Sequence, residues 1–225
     1  MRLVVEDVSK SFRLNGTPIQ AVDRVSFEVG RGEFVSITGH SGSGKTTLLS
    51  ILGGLSRPTA GRVLLDGADV YSLGSDQLSE YRCERIGFVF QFASLLPALT
   101  ALENLLLPGR YRSRRGTAAE EEAAAVELLG LVGLADKAGA LPSQLSGGQQ
   151  RRVAIARAFV NRPELVLADE PTGDLDEETE AGVMKLFRTM NEGSGTTFLM
   201  VTHDTDLARQ ASRKLQMHKG SLREA

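Results

Sequence analysis

Several features that would assign this 225-residue chain quickly are scarce or missing. It has one cysteine, Cys83, so no internal disulfide can form, a zinc-finger cluster is excluded, and a reducing compartment is expected. Positive charge is not in excess. Lys and Arg number 26 against 28 Asp and Glu, a net charge of −2, without the basic footprint that nucleic-acid binding demands. No apolar run approaches the about eighteen residues needed to cross a bilayer, and the run from Phe198 to Val201 is strand-sized. The opening stretch MRLVVEDVSK lacks the basic, apolar and small-residue order of a secretory signal, so none is expected. Repeats are missing too, and the one biased segment, the Ala/Glu patch at 118–125, reads as a solvated amphipathic helix.

What is present is one sizeable globular domain, 41% hydrophobic, with a clear change of pattern along it. β-type runs recur at RLVVEDV, the alternating Val25, Phe27 and Val29, FVSITG, RVLLDG, IGFVFQ, ELVLAD and TTFLMVT. Helical stretches separate them, among them EETEAGVMKLFRTMNE, whose Val183, Leu186, Phe187 and Met190 share a face. Such alternation predicts a mostly parallel, covered α/β sheet with an N-terminal β region. From about 92 to 160 only helical patterns appear. The expected organisation is therefore a core of about 1–91 and 161–225 with an inserted helical lobe.

Chemistry concentrates at two places. GHSGSGKTT follows a strand and opens a helix, the context of a phosphate-binding loop. Gly39, Gly42 and Gly44 let successive amide N–H groups and the helix start face phosphate oxygens, and His40, Ser41 and Ser43 complete the nucleotide-binding stretch. Lys45 supplies a point charge for the β- and γ-phosphates, Thr46 a hydroxyl for Mg²⁺, and Thr47 a donor for the α-phosphate. Farther on, LVLADE ends a buried strand in two carboxylates that point to opposite sides. That suits Asp169 to a magnesium-bound water and Glu170 to the water attacking the γ-phosphate.

Between these two lies LSGGQ, Leu145 to Gln149, and with it the chain resembles the nucleotide-binding subunit of an ABC transporter along essentially its whole length. The resemblance implies the P-loop NTPase fold of ABC ATPases and a homodimer formed on ATP. In that dimer Leu145, Ser146, Gly147, Gly148 and Gln149 close over the ATP of the opposite subunit. The residue types suit this, since Ser146 offers a hydroxyl, the glycine pair allows close approach, and the helix start offers N–H groups. The resemblance further assigns Gln91 to Mg²⁺ and water, His203 to the γ-phosphate and the catalytic glutamate, and Asp176 to coupling across the dimer. Phe12 stands where the family stacks an aromatic on adenine, with Val22 nearby; core packing is the alternative for Phe12. His218 has no such context.

TALENLLLP and ADEPTGDLD resemble the ATPases of lipoprotein-releasing and macrolide-efflux systems, and the short stretch after His203 leaves no room for the regulatory domain of maltose-importer ATPases. Implied partners are integral membrane permease subunits and no nucleic acid, at the cytoplasmic face of the membrane. The basic run from Arg110 to Arg115 reads as a solvated loop or as a contact to permease or lipid headgroups. Two alternatives stay open. One is an ABC ATPase of DNA repair or chromosome maintenance, which would carry long coiled coils or zinc domains. The other is a P-loop kinase or GTPase, for which LSGGQ would be coincidence.

Overall fold

The computed structural model describes every residue except Asn15, residues 113–115 and Asp174, and describes only the backbone of Leu14. The basic run from Arg110 to Arg115 and the PTGDLD stretch thus lie partly outside the described residues. Strands β1 (Leu3–Leu14), β2 (Thr17–Val29) and β3 (Phe34–Thr38) precede helix α1 (Lys45–Leu52). Strands β4 (Ala60–Leu65) and β5 (Ala68–Asp69), helix α2 (Ser75–Glu80) and strand β6 (Ile86–Val89) follow. Three helices come next with no strand between them among the described residues: α3 (Ala101–Gly109), α4 (Ala118–Leu131) and α5 (Gly147–Phe159). The chain continues through β7 (Leu165–Asp169), α6 (Glu177–Ser194), β8 (Thr197–Thr202), α7 (Thr205–Ala208), β9 (Arg213–His218) and β10 (Ser221–Glu224).

These strands form an antiparallel sheet in the order β2-β1-β4-β5 and a six-stranded sheet in the order β10-β9-β3-β8-β7-β6. In the larger sheet β9, β3, β8, β7 and β6 run parallel, and only β10 is antiparallel to its neighbour. The period of two sorts its side chains into two cores. Val35, Ile37, Leu165, Leu167, Leu199 and Val201 face α1 and the antiparallel sheet. Phe34, Val166, Ala168, Phe198 and Met200 face the other way, packing with Leu105, Leu129, Ile155 and Phe159 of the helical segment and Phe187 of α6. With both faces covered, the strands read as near-continuous apolar runs.

Helix starts follow local chemistry. Thr100, Thr117 and Ser146 each accept the backbone N–H three residues on, while Glu103, Glu120 and Gln149 reach back to the cap's own N–H. Asp176 caps α6, and Gly195 in the left-handed conformation (φ 64°) ends it. Two elements differ from the sequence reading. The β1–β2 pair extends well past Val8, pairing Phe12 with Ile19, and the chain closes with the β9–β10 hairpin. In β9, Lys214, Gln216 and His218 mask the short alternation of buried Leu215 and Met217.

Candidate functional site

β3 lies between β9 and β8, and its carboxyl end opens into a cavity of about 910 Å³. The whole stretch from Gly39 to Thr47 lines it. The loop's tight course needs glycine at both ends. Gly39 (φ 156°) and Gly44 (φ 107°) adopt conformations foreign to L side chains, and a Cβ there would collide with the carbonyl oxygens of Met217 and Ala21. The buried Lys45 ammonium donates to the carbonyls of Gly39 (2.6 Å) and His40 (3.2 Å), which aims it across the loop. Ser43 Oγ is buried without a protein partner, and α1 starts at Gly44 with no side chain over its end. The first-turn N–H groups and the Lys45 charge make this concavity an anion cradle.

Asp169 and Glu170 reach the same cavity from the end of β7. Asp169 shares the sheet face of Leu165 and Leu167, the face that carries α1, and its carboxylate accepts a hydrogen bond from the Thr46 hydroxyl. Burial pushes its pKa up, opposed by that hydroxyl; Glu170 adds to the rise, and Lys45 and Arg151 counter it. Glu170 leaves the strand at φ 45°, a conformation costing a non-glycine residue on the order of 1–3 kcal/mol. Its N–H is held by Val201 O at 2.9 Å, and its carboxylate lies 3.0 Å from His203 Nδ1. The Glu170 side chain is 14% exposed and that of His203 74%, so the carboxylate is the fixed member of the pair and the ring the outer one.

Gln91, two residues past β6, lines the cavity as well. Strands β3, β6, β7 and β8 thus deliver their functional residues at their carboxyl ends, the crevice where open α/β sheets bind ligands. A second cavity, of about 640 Å³, reaches Glu164 and Thr196 at the amino ends of β7 and β8 and includes none of the predicted site residues. The donors Thr46 hydroxyl, Asp169 carboxylate and Gln91 amide fit a hard cation such as Mg²⁺ that keeps waters and shares phosphate oxygens. Among the described residues no cluster of three or more His, Cys, Asp and Glu forms an all-protein metal cage.

The other predicted residues lie elsewhere. Leu145 to Gln149 do not line the cavity; Leu145 is buried in the core, whereas Ser146 and Gly147 are exposed, with Gly148 and Gln149 partly so. Asp176 has a local task, accepting from Thr179 N–H (2.9 Å) and Thr179 Oγ1 (2.8 Å), and these bonds hold its carboxyl below the usual range. Phe12 is 46% exposed, with Lys10 Nζ 5.2 Å from its ring centroid, so it is not a core residue and does not line the cavity. Val22 is fully buried in the core, and its neighbour Ala21 lines the cavity. The sequence reading missed Gln216, His218 and Arg223, which the β9–β10 hairpin brings to the cavity wall. The available signal was the Leu215/Met217 alternation ahead of Gly220.

Known proteins resemble this chain along nearly its whole length. Residues 22–173 match the ABC transporter family. An uncharacterized ABC transporter ATP-binding protein of Thermotoga maritima is 48% identical over 224 residues, 99% of this chain and 94% of that protein. Two dimeric structures of the bacterial ABC transporter cassette MJ0796 are similar throughout. One, in a post-hydrolysis state with ADP and Pi, has a TM-score of 0.93 at 41% identity, covering 99% of this chain and 98% of that one. The other has a TM-score of 0.94 at 43% identity, covering 99% and 97%. The family match and the similarity along nearly the whole chain show that it belongs to the ABC transporter family as one of its ATP-binding ATPases.

Proposed function

We propose that this ATPase powers a separate bacterial permease from the cytoplasmic face of the membrane, by closing two copies of itself head to tail over two ATP molecules. The observation that carries the reading is a separation: Glu170 and His203 stand at the phosphate cavity, whereas Ser146 and Gly147 are exposed outside it. A donor set aimed away from its own cavity suits a second copy's nucleotide, and the similar cassettes were solved as dimers. In this reading Lys45 and the start of α1 hold the β- and γ-phosphates, Thr47 the α-phosphate, and His40, Ser41, Gly42 and Ser43 shape the loop around them. Bound Mg²⁺ would neutralise charge on the phosphate oxygens, held by Thr46 and, through water, Asp169, with Gln91 beside it.

Glu170 orients and deprotonates the water whose oxygen bonds to the γ-phosphorus as the bond to the β–γ bridging oxygen breaks, yielding ADP and phosphate. Because His203 Nδ1 faces Glu170, Nε2 is the atom left to meet the γ-phosphate. The partner's Ser146 and the start of its α5 complete the anion's surroundings, Asp176 couples the two sites, and Phe12 stacks on adenine. Near Gln91, Phe90 stacks on Phe88 (centroids 5.3 Å apart), and adjoining grooves share Cys83 and Pro108, with exposed Tyr111 at the rim. Such an apolar surface suits a membrane partner. The likeness of TALENLLLP and ADEPTGDLD to lipoprotein-releasing and macrolide-efflux ATPases supports work on a permease's extracytoplasmic domain.

Specific ATPase activity measured over a dilution series tests the composite site: turnover per chain falls as the dimer dissociates. Full-rate turnover at dilutions where light scattering finds only monomer would overturn it. Mild-detergent purification of the tagged chain should recover a permease with a large external domain, and recovery of a soluble partner alone would refute the membrane assignment.

A further inference from the structure

Arg151, one turn into α5, is only 4% exposed, and its guanidinium is spent on backbone carbonyls. Nε donates to Pro171 O at 2.9 Å and Nη1 to Phe90 O at 2.5 Å; Nη1 also donates to Gln91 O, and Nη2 to Glu170 O. The four acceptors have one origin. β6 and β7 pair in parallel up to Val89 and Ala168, and the first residues past the two strand ends supply these carbonyls. A planar fork of five donors suits two diverging strand ends, and a lysine ammonium cannot span them. A second arginine of α5, Arg157, donates to Ala93 O (3.2 Å) and Ser94 O (3.0 Å), so the segment after Gln91 hangs on this helix at two points.

We propose that Arg151 is a positioning residue for hydrolysis: it fixes the peptide planes of Gln91 and of left-handed Glu170, and binds both to the helix that begins at Ser146. The inference rests on the composite-site reading and adds to it. The helix that completes the neighbour's site is bolted to the backbone of the two residues that serve its own. Arg151 does not line the phosphate cavity and acts through Glu170. Losing it releases Glu170 from its pairing with His203 while leaving Lys45 and the glycine loop as they are, so turnover suffers and nucleotide affinity does not.

The test is a double-mutant cycle on the full chain, with kcat and KM for ATP measured for wild type, Arg151→Met, Glu170→Gln and the double variant, each checked for folding by thermal melting. Arg151→Met should lower kcat about tenfold to a hundredfold, with KM changed less than about twofold. In the Glu170→Gln background the same substitution should lower the residual rate less than about twofold, since the group it positions is gone. Arg151→Lys should fall between wild type and Arg151→Met, and carries the same cycle if the methionine variant does not fold. An unchanged kcat, or the full loss repeated in the Glu170→Gln background, overturns the proposal while leaving the composite site intact. A wild-type rate in Glu170→Gln alone would instead overturn the role of Glu170 in hydrolysis, and this proposal with it.

Discussion

Helices α1 and α5 both begin beside glycines, and they treat their free N–H groups in opposite ways. α1 starts at Gly44 with no side chain over its end, inside a walled cavity that also holds Lys45. α5 starts on the surface and closes on itself: Ser146 Oγ accepts from Gln149 N–H at 3.2 Å, and Gln149 Oε1 accepts from Ser146 N–H at 2.9 Å. A cap of this kind contributes roughly 0.5–2 kcal/mol to its helix. The first helix start is a standing anion site. The second is latent, and a phosphate reaching it competes with the helix's own cap. In the proposed dimer, that asymmetry would reserve the start of α1 for a chain's own nucleotide and the start of α5 for its partner's.

The largest expected effect breaks the latent end while sparing the standing one. Ser146→Arg should abolish hydrolysis with nucleotide affinity unchanged, and mixing it with Lys45→Ala should restore activity, because one site of the mixed dimer is intact. No recovery and no mixed dimer would contradict the division of labour. Next comes Glu170→Gln, which should lower kcat about a hundred- to a thousandfold, bind ATP normally and accumulate an ATP-bound dimer on sizing chromatography; rapid turnover with no dimer counts against it. Phe12→Ala should raise KM about two- to tenfold, the equivalent of about 0.5–1.5 kcal/mol for an aromatic contact, with kcat unchanged.

The smallest effect sharpens the comparison by pH. Glu103 and Glu120 are held below their ordinary value of 4.5 by the N–H and hydroxyl of Thr100 and Thr117. A depressed acid lends stability above its unfolded pKa and loses it as pH falls through the folded one. Acidification below about pH 4.5 should therefore lower the protection of amides at the starts of α3 and α4, measured as exchange relative to the intrinsic rate at each pH. The box of α5 uses neutral Gln149 and should not respond. Equal loss of protection at all three helices would show that the caps are not what acid removes.

Most of the site was legible because its parts are local. A glycine loop between strand and helix, and a buried strand ending in Asp-Glu, each carry their chemistry in consecutive residues, and strand alternation does send Asp169 toward α1. The LSGGQ role and those of Gln91, His203 and Asp176 came from family resemblance, since nothing in their spacing tells which chain's nucleotide they serve. What escaped is tertiary. Arg151 sits in a run of glutamines and arginines with nothing local to mark it, and only the carbonyls just past the ends of β6 and β7 reveal why it is buried. His218 and Arg223 were hidden by the charged residues that interrupt β9, whose two apolar positions are too few to announce a strand.

The glycine loop leans on parts of the chain far from it on both sides, some of them made long after it. Ala21 and Met217 press their carbonyls against Gly44 and Gly39, and Gly220 donates to Ser43 O at 3.0 Å while accepting from Asp23 N–H at 2.9 Å. Until residue 220 has left the ribosome, one wall of that cradle does not exist. The cradle is therefore a product of the completed fold rather than of its own nine residues.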